Sequence, residues 1–210
     1  MKDTGGRSHV IHFDLDVKSW ANARAGVREA RPARCPGCDT PSVEPSGKVV
    51  VQGHGLRGRQ RWGPPEHDAA AEVGVMMQRR YRCTRCGAVI VVRPRGVVAH
   101  RRYTLAAIAL SLWLWAVELW NDAQVRTKAS VRPTAGISRP ERWTTLRRWA
   151  RAAREGRLWR SVAADTSWTL REHAERVVRV LAAAADPELG GEQRRVFAAG
   201  GTSPLTAIGT

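Results

Sequence analysis

The sequence predicts an α+β protein in which a small β-rich module organised by four cysteines precedes a helical module. Three observations predict it. The only cysteines fall as two CxxC pairs, Cys35-Pro-Gly-Cys38 and Cys83-Thr-Arg-Cys86. The chain from Arg31 to about Pro94 is rich in Pro, Gly and short β-branched runs, the texture of a small sheet. From Tyr103 onward apolar residues recur at helical spacing between capping signals.

Taken in order, residues 1–30 read as a short strand, His9 to Phe13, and a small helix from Val17 to about Ala25 that Asp16 caps. Residues 31–95 form the four-cysteine module. Its strands are expected at Lys48–Gln52, Val73–Cys83 and Ala88–Val92. Between the first two, GHGLRGRQRWGPPEHDAA (Gly53 to Ala70) carries glycines and the pair Pro64-Pro65, which mark a long loop or broad hairpin tip.

The helical module spans residues 103–186. Thr104 caps a helix from Leu105 to about Leu119, and Asn121 or Asp122 caps a short one to about Ser130. Val131 to Ile137, with Pro133 and Gly136, reads as a turn. Ser138-Arg139-Pro140-Glu141 then has the form of a capping box opening a helix to about Glu155 or Leu158. A second box, Thr169 to Glu172, opens a helix that should end near Ala185, because Pro187 lacks the N–H to continue it. Residues 187–210, with Gly190, Gly191, Gly200 and Gly201, are expected to be a loose tail.

Two residues between cysteines let a tight turn aim both thiolates at one ion, and two such turns complete a tetrahedral four-thiolate site. Cys35, Cys38, Cys83 and Cys86 are therefore the candidate metal ligands, with structural Zn2+ the expected ion. An iron site of rubredoxin type would use the same four. A redox pair would sit at the start of a helix after a strand, whereas each CxxC here abuts prospective strands. Gly87 follows the second pair and Asp39 stands in the same place after the first. The wide separation of the pairs requires a hairpin with a long insertion between them. His54 and His67 are surplus to a full coordination sphere.

The formal net charge is +16 in 23.2 kDa, so the expected partner is polyanionic. Nearly all of the excess is arginine, as a GC-rich coding sequence also favours, so placement says more than the total. No acidic residue lies between Glu72 and Glu118, while Arg79, Arg80, Arg82, Arg85, Arg93, Arg95, Arg101 and Arg102 all do. In the helix from about Arg139 to Glu155, Trp143, Leu146, Trp149, Ala150 and Ala153 share one face; Thr144, Arg147, Arg148 and Arg151 lie opposite. An arginine-rich outer face on the third of three helices is what a helix-turn-helix-like module presents to a major groove. Thr144, Arg147, Arg148 and Arg151 are thus the candidate DNA-contacting residues. The solvated face of an ordinary amphipathic helix is the plain alternative.

The first residues hold no apolar stretch that would form a signal-peptide core, and Leu105 to Val117 is shorter than a membrane span, so a cytoplasmic protein without a membrane partner is expected. No GxxxxGK[ST], GxSxG or HExxH motif occurs. Neither catalysis nor a small-molecule substrate is expected.

The succession CPGC, GHGLRGRQ, RRYRCTRCG, RPRGVVAHRRYT, an Ala/Leu/Trp helix and TTLRRWARAA resembles bacterial transposon-associated zinc-ribbon proteins with a helix-turn-helix, stand-alone or as the front part of transposases. The resemblance covers about residues 10–185. It implies a zinc ribbon held by Cys35, Cys38, Cys83 and Cys86, a recognition helix over 141–151, and DNA binding. No catalytic transposase domain is expected in these residues, and there the chain departs from the resemblance. Double-stranded DNA is accordingly the expected partner. The rival readings are a protein-interaction module docking on a polymerase or transposase subunit, an RNA or single-strand binder using Trp62 and Tyr81 as stacking platforms, and a nuclease or strand-transfer enzyme.

Overall fold

The computed structural model describes residues 8–23, 26–98, 101–131, 143–159, 165 and 167–202. The chain divides into two compact units: 1–59 with 75–95, and 60–74 with 96–210.

The first unit holds most of a four-stranded sheet of order β1-β4-β3-β2, from β1 (Ser8–Phe13), β2 (Val51–Gly63), β3 (Glu72–Cys83) and β4 (Val89–Pro94), residues 60–63 of β2 and 72–74 of β3 being counted with the second. β3 and β4 are antiparallel, with Arg79 opposite Val92 and Arg82 opposite Val89. β1 joins β4 in parallel, Ser8 to Val89 through Phe13 to Pro94. Parallel neighbours need a crossover, and α1 (Val17–Ala23) is part of it. Asp16 starts α1 by accepting the Ser19 N–H at 2.8 Å. Trp20 then docks on the sheet: its indole N–H donates to the Met77 carbonyl at 2.7 Å and its ring meets Phe13 edge-on at 5.6 Å. Tyr81, fully buried, donates its hydroxyl to the Val27 carbonyl at 2.9 Å. Val50, Val51, Ile90 and Val92 fill the rest of this core.

One segment departs from its local signal. Gly53 to Gly63 is strand, not loop, and the turn is confined to about residues 64–71. The glycines favour irregular backbone only while the segment is alone. Alongside β3 the ladder hydrogen bonds outweigh that preference, and Gly58 leaves room for Val75 and Met77 to approach.

The second unit centres on α2 (Leu105–Ala116), which is buried on nearly every side. That explains its almost wholly apolar sequence, broken only by Ser111, whose hydroxyl donates to the Ala107 carbonyl at 2.6 Å: each large side chain it removes from water contributes roughly 1.5–3 kcal/mol. Thr104 caps it by accepting the Ala107 N–H. No described helix is long and apolar enough to cross a membrane. α3 (Asp122–Ala129) and α5 (Leu170–Ala184) both open on capping boxes, Asn121 with Gln124 and Thr169 with Glu172. α4 (Thr144–Arg154) packs on α2 and α5. Trp113, Trp115, Leu146, Trp149, Val177 and Leu181 join in one core, with Trp120 partly buried against it. The proposed box Ser138–Glu141 and most of the turn before it lie outside the described residues.

The expectation of a loose tail from residue 187 is corrected. Pro187–Leu189 is a turn of 3-10 helix and α6 (Glu192–Thr202) packs against α2 and α5, burying Val196, Ala199 and Gly200. Gly200 is what permits the contact. A Cβ there would lie 2.4 Å from the Ala109 Cβ, so glycine serves close helix approach, not chain freedom. Residues 203–210 lie outside the described residues.

Candidate metal centre and basic helix face

Cys35 and Cys38 sit on one turn, Cys83 and Cys86 on another, and the two turns share one backbone pattern. The Cys35 N–H donates to the Thr40 carbonyl at 2.9 Å and the Cys35 carbonyl accepts the Asp39 N–H at 2.8 Å. Around Cys83 the same two bonds run to the Ala88 carbonyl and from the Gly87 N–H, each at 2.9 Å. Asp39 (φ 55°) and Gly87 (φ 74°) occupy the equivalent left-handed position, the place the sequence marks after each pair. Glycine adopts it without cost; Asp39 is held there with its carboxylate on Arg34 at 2.8 Å.

The turns bring all four sulfurs within 4.8 Å of one another. Cys35 and Cys86 Sγ are 3.6 Å apart, and Cys38 and Cys83 Sγ 3.8 Å. A tetrahedral thiolate site with metal–sulfur bonds of about 2.3 Å has edges of about 3.8 Å. The cluster is thus compatible with a metal site in both ligand chemistry and spacing. The Gly37 N–H donates to Cys35 Sγ at 3.4 Å, which favours a sulfur carrying negative charge. As free thiols the four are unequal: burial pushes Cys35 up to about 12, while hydrogen bonding to Thr40 brings Cys38 down to about 6. A cation among them favours the thiolate at every position.

The two turns are also tied through groups that spacing does not reveal. Arg85 donates to the Thr40 hydroxyl at 3.3 Å, and that hydroxyl is itself bonded to Cys38 Sγ at 3.3 Å. Thr84 donates both its N–H and its hydroxyl to the Val50 carbonyl, at 2.9 and 3.2 Å. The long interval between the pairs is the β2–β3 hairpin, which leaves the first turn and returns to the second.

On α4 the predicted seam is buried: Trp143, Leu146, Trp149, Ala150 and Ala153 are all less than a tenth exposed. Trp143, Trp149 and Tyr103 meet edge to face at 4.8–6.1 Å. The opposite side divides. Thr144, Arg148 and Arg151 are exposed. Arg147 is not part of that row; it bonds the buried Asp122 carboxylate at 3.4 Å and lies over the Trp115 ring at 4.9 Å, with Arg171 also over that ring at 4.8 Å. Asp122 accepts the Trp143 N–H at 3.0 Å as well, so it seats the start of α4. Helical phase places Arg147 on the outer side, where its side chain stays 43% exposed while its Nη2 reaches the single buried carboxylate of α3. Asp122 is visible in the sequence only as a cap candidate. α3 ends at Ala129 and α4 begins at Thr144, an interval longer than a helix-turn-helix uses before its recognition helix.

No family model, curated protein or solved structure matches this chain.

Proposed function

We propose that the protein is a double-stranded DNA-binding protein whose first unit is ordered by structural zinc and whose second unit offers α4 to the duplex. The observation that carries the reading is the exposed row Thr144, Arg148 and Arg151 on a helix whose other side is locked by Trp143, Leu146 and Trp149. Neither Arg148 nor Arg151 has an ion-pair partner among the described residues. A rigid helix with unpaired guanidinium groups in one row suits phosphate contacts and bidentate guanine contacts. Arg147, engaged with Asp122 and Trp115, acts here as a positioning residue. Zinc is the ion chosen because four soft thiolates in a tetrahedron accept it without redox chemistry. The reading assigns a transposon-related or regulatory role.

Support for single-strand stacking is weaker. Tyr81 is fully buried, and Trp62 is partly buried, edge-on to Tyr103 with Arg102 over its ring. Docking on another protein draws on one observation, the exposed Leu56, Val75 and Met77 of the hairpin.

The test is selection from a random-site duplex library by zinc-loaded protein, followed by titration at several salt concentrations. Replacing Arg148 and Arg151 with Ala should leave metal content and folding intact, weaken duplex binding, and make the salt slope shallower by about two. Absence of duplex binding at moderate salt would refute the reading. Metal analysis should find about one zinc per chain with four protected thiols.

A further inference from the structure

One face of the first unit's sheet is lined by arginines. Side chains alternate along a strand and paired residues share a face, so Arg80 opposite Val91 and Arg82 opposite Val89 define one side. Two residues further along, Gln78 on β3 and Arg93 on β4 lie on that same side. On β2, Gly58 faces the other side, where the Val75 and Met77 side chains approach it. Its neighbours Arg57 and Arg59 therefore face Arg93 and Gln78.

The two central residues are buried, Arg93 at 6% exposed and Gln78 at 3%. Arg93 Nε and Nη1 and Gln78 Nε2 are enclosed without a hydrogen-bond partner among the described residues. All three atoms are N–H donors. None of Arg57, Arg80, Arg82 and Arg93 has a carboxylate partner among the described residues. Burial, then the nearby Arg59 and Arg57, pull the Arg93 guanidinium down to about 10. A buried cation facing more cations and an orphaned amide N–H is among the costliest arrangements a fold carries, and its natural relief is an anion with several acceptor oxygens. A phosphate uses donors arriving from β2, β3 and β4 together, and guanidinium forks match its geometry.

We propose that this sheet face binds a phosphate group of a nucleic-acid backbone, with Arg93 and Gln78 as buried donors and Arg57 and Arg59 as the partners on β2. The source of the phosphate rests on the nucleic-acid reading above; the site itself does not. It would hold the duplex without reading its sequence, a task separate from that of α4.

Two measurements on zinc-loaded protein test it. In the first, thermal unfolding is compared in chloride and in inorganic phosphate at equal ionic strength. Phosphate should raise the wild-type midpoint by mass action and leave Arg93→Met unmoved, while in chloride Arg93→Met should melt above wild type because the unpaired charge is gone. In the second, duplex titrations should show Arg93→Met binding about tenfold more weakly, with a salt slope shallower by about one. Gln78→Leu should weaken binding with the slope unchanged, since it removes a donor but no charge. If Arg93→Met does not fold, Gln78→Leu and the exposed-residue variant Arg57→Ala carry both measurements. Equal stabilisation of wild type and variants by phosphate would overturn the site. So would wild-type duplex affinity in Arg93→Met when the Arg148/Arg151 double variant has lost it; the nucleic-acid reading would survive that result. If the wild type binds no duplex, the nucleic-acid source falls with that reading and the phosphate arm alone decides the site.

Discussion

Gly200 and Ala109 make the docking of α6 measurable. A methyl group at position 200 would stand 2.4 Å from the Ala109 Cβ, 3.2 Å from the Leu105 carbonyl oxygen and 3.6 Å from the Ala106 Cα. Two of those three atoms are α2 backbone, so they cannot swing aside. Overpacking of this kind costs about 1–3 kcal/mol, while replacing a helical glycine with alanine returns about 0.5–1 kcal/mol. Gly200→Ala should therefore destabilise the second unit by about 1–2 kcal/mol. Ala109→Gly alone should cost about as much, from the lost buried methyl and the added backbone entropy. In the double variant the methyl has merely changed sides of the interface, and the loss should shrink to about 1 kcal/mol or less. The coupling is then about 2 kcal/mol. Urea unfolding followed by tryptophan fluorescence reads all four midpoints. Additivity within about 0.5 kcal/mol, or a Gly200→Ala variant more stable than wild type, would mean that α6 is undocked.

Three further outcomes follow from other sites. At Gly87 (φ 74°) an added Cβ meets nothing within 4 Å among the described residues, so Gly87→Ala should cost only the left-handed backbone preference of about 1–2 kcal/mol. Competition against a chelator should show metal affinity about tenfold lower, and unchanged affinity would sever the turn from metal binding. His173 is fully buried, and burial, then Arg154, lowers its pKa. Its folded value lies below the unfolded value of about 6.5, so the unfolded state takes up the proton first and stability falls as pH drops below about 6.5. His173→Leu should flatten that part of the stability profile relative to wild type; parallel profiles would contradict the assignment. Asp122→Ala removes acceptors from both the Trp143 N–H and Arg147, and should cost about 2–3 kcal/mol in urea unfolding, whereas Arg148→Ala should stay within about 0.5 kcal/mol.

Much of the local structure was legible because it is decided within a few residues. Thr104, Asn121 and Thr169 cap where they stand, since a short side chain three residues ahead of an N–H meets it whatever the rest of the chain does. The CxxC turns are equally local, and so is the matching position of Asp39 and Gly87. The apolar run of α2 announced a buried helix by composition alone.

What local signals misjudged were places where a distant partner outweighs them. Gly53 to Gly63 reads as loop until β3 supplies a ladder, and the glycines of the tail read as looseness until α2 supplies a surface that only Gly200 lets α6 approach. Helical phase put Arg147 on the outer side, but its engagement with Asp122 of another helix is invisible to that phase. The meeting of the two cysteine pairs, and of Arg57, Arg59, Gln78 and Arg93 on one sheet face, depends on strand order and register. Chemistry at each position was thus carried by the sequence alone. Which chemistries meet was decided by tertiary structure, because contact energy depends on distance in space, and propensity sees only distance along the chain.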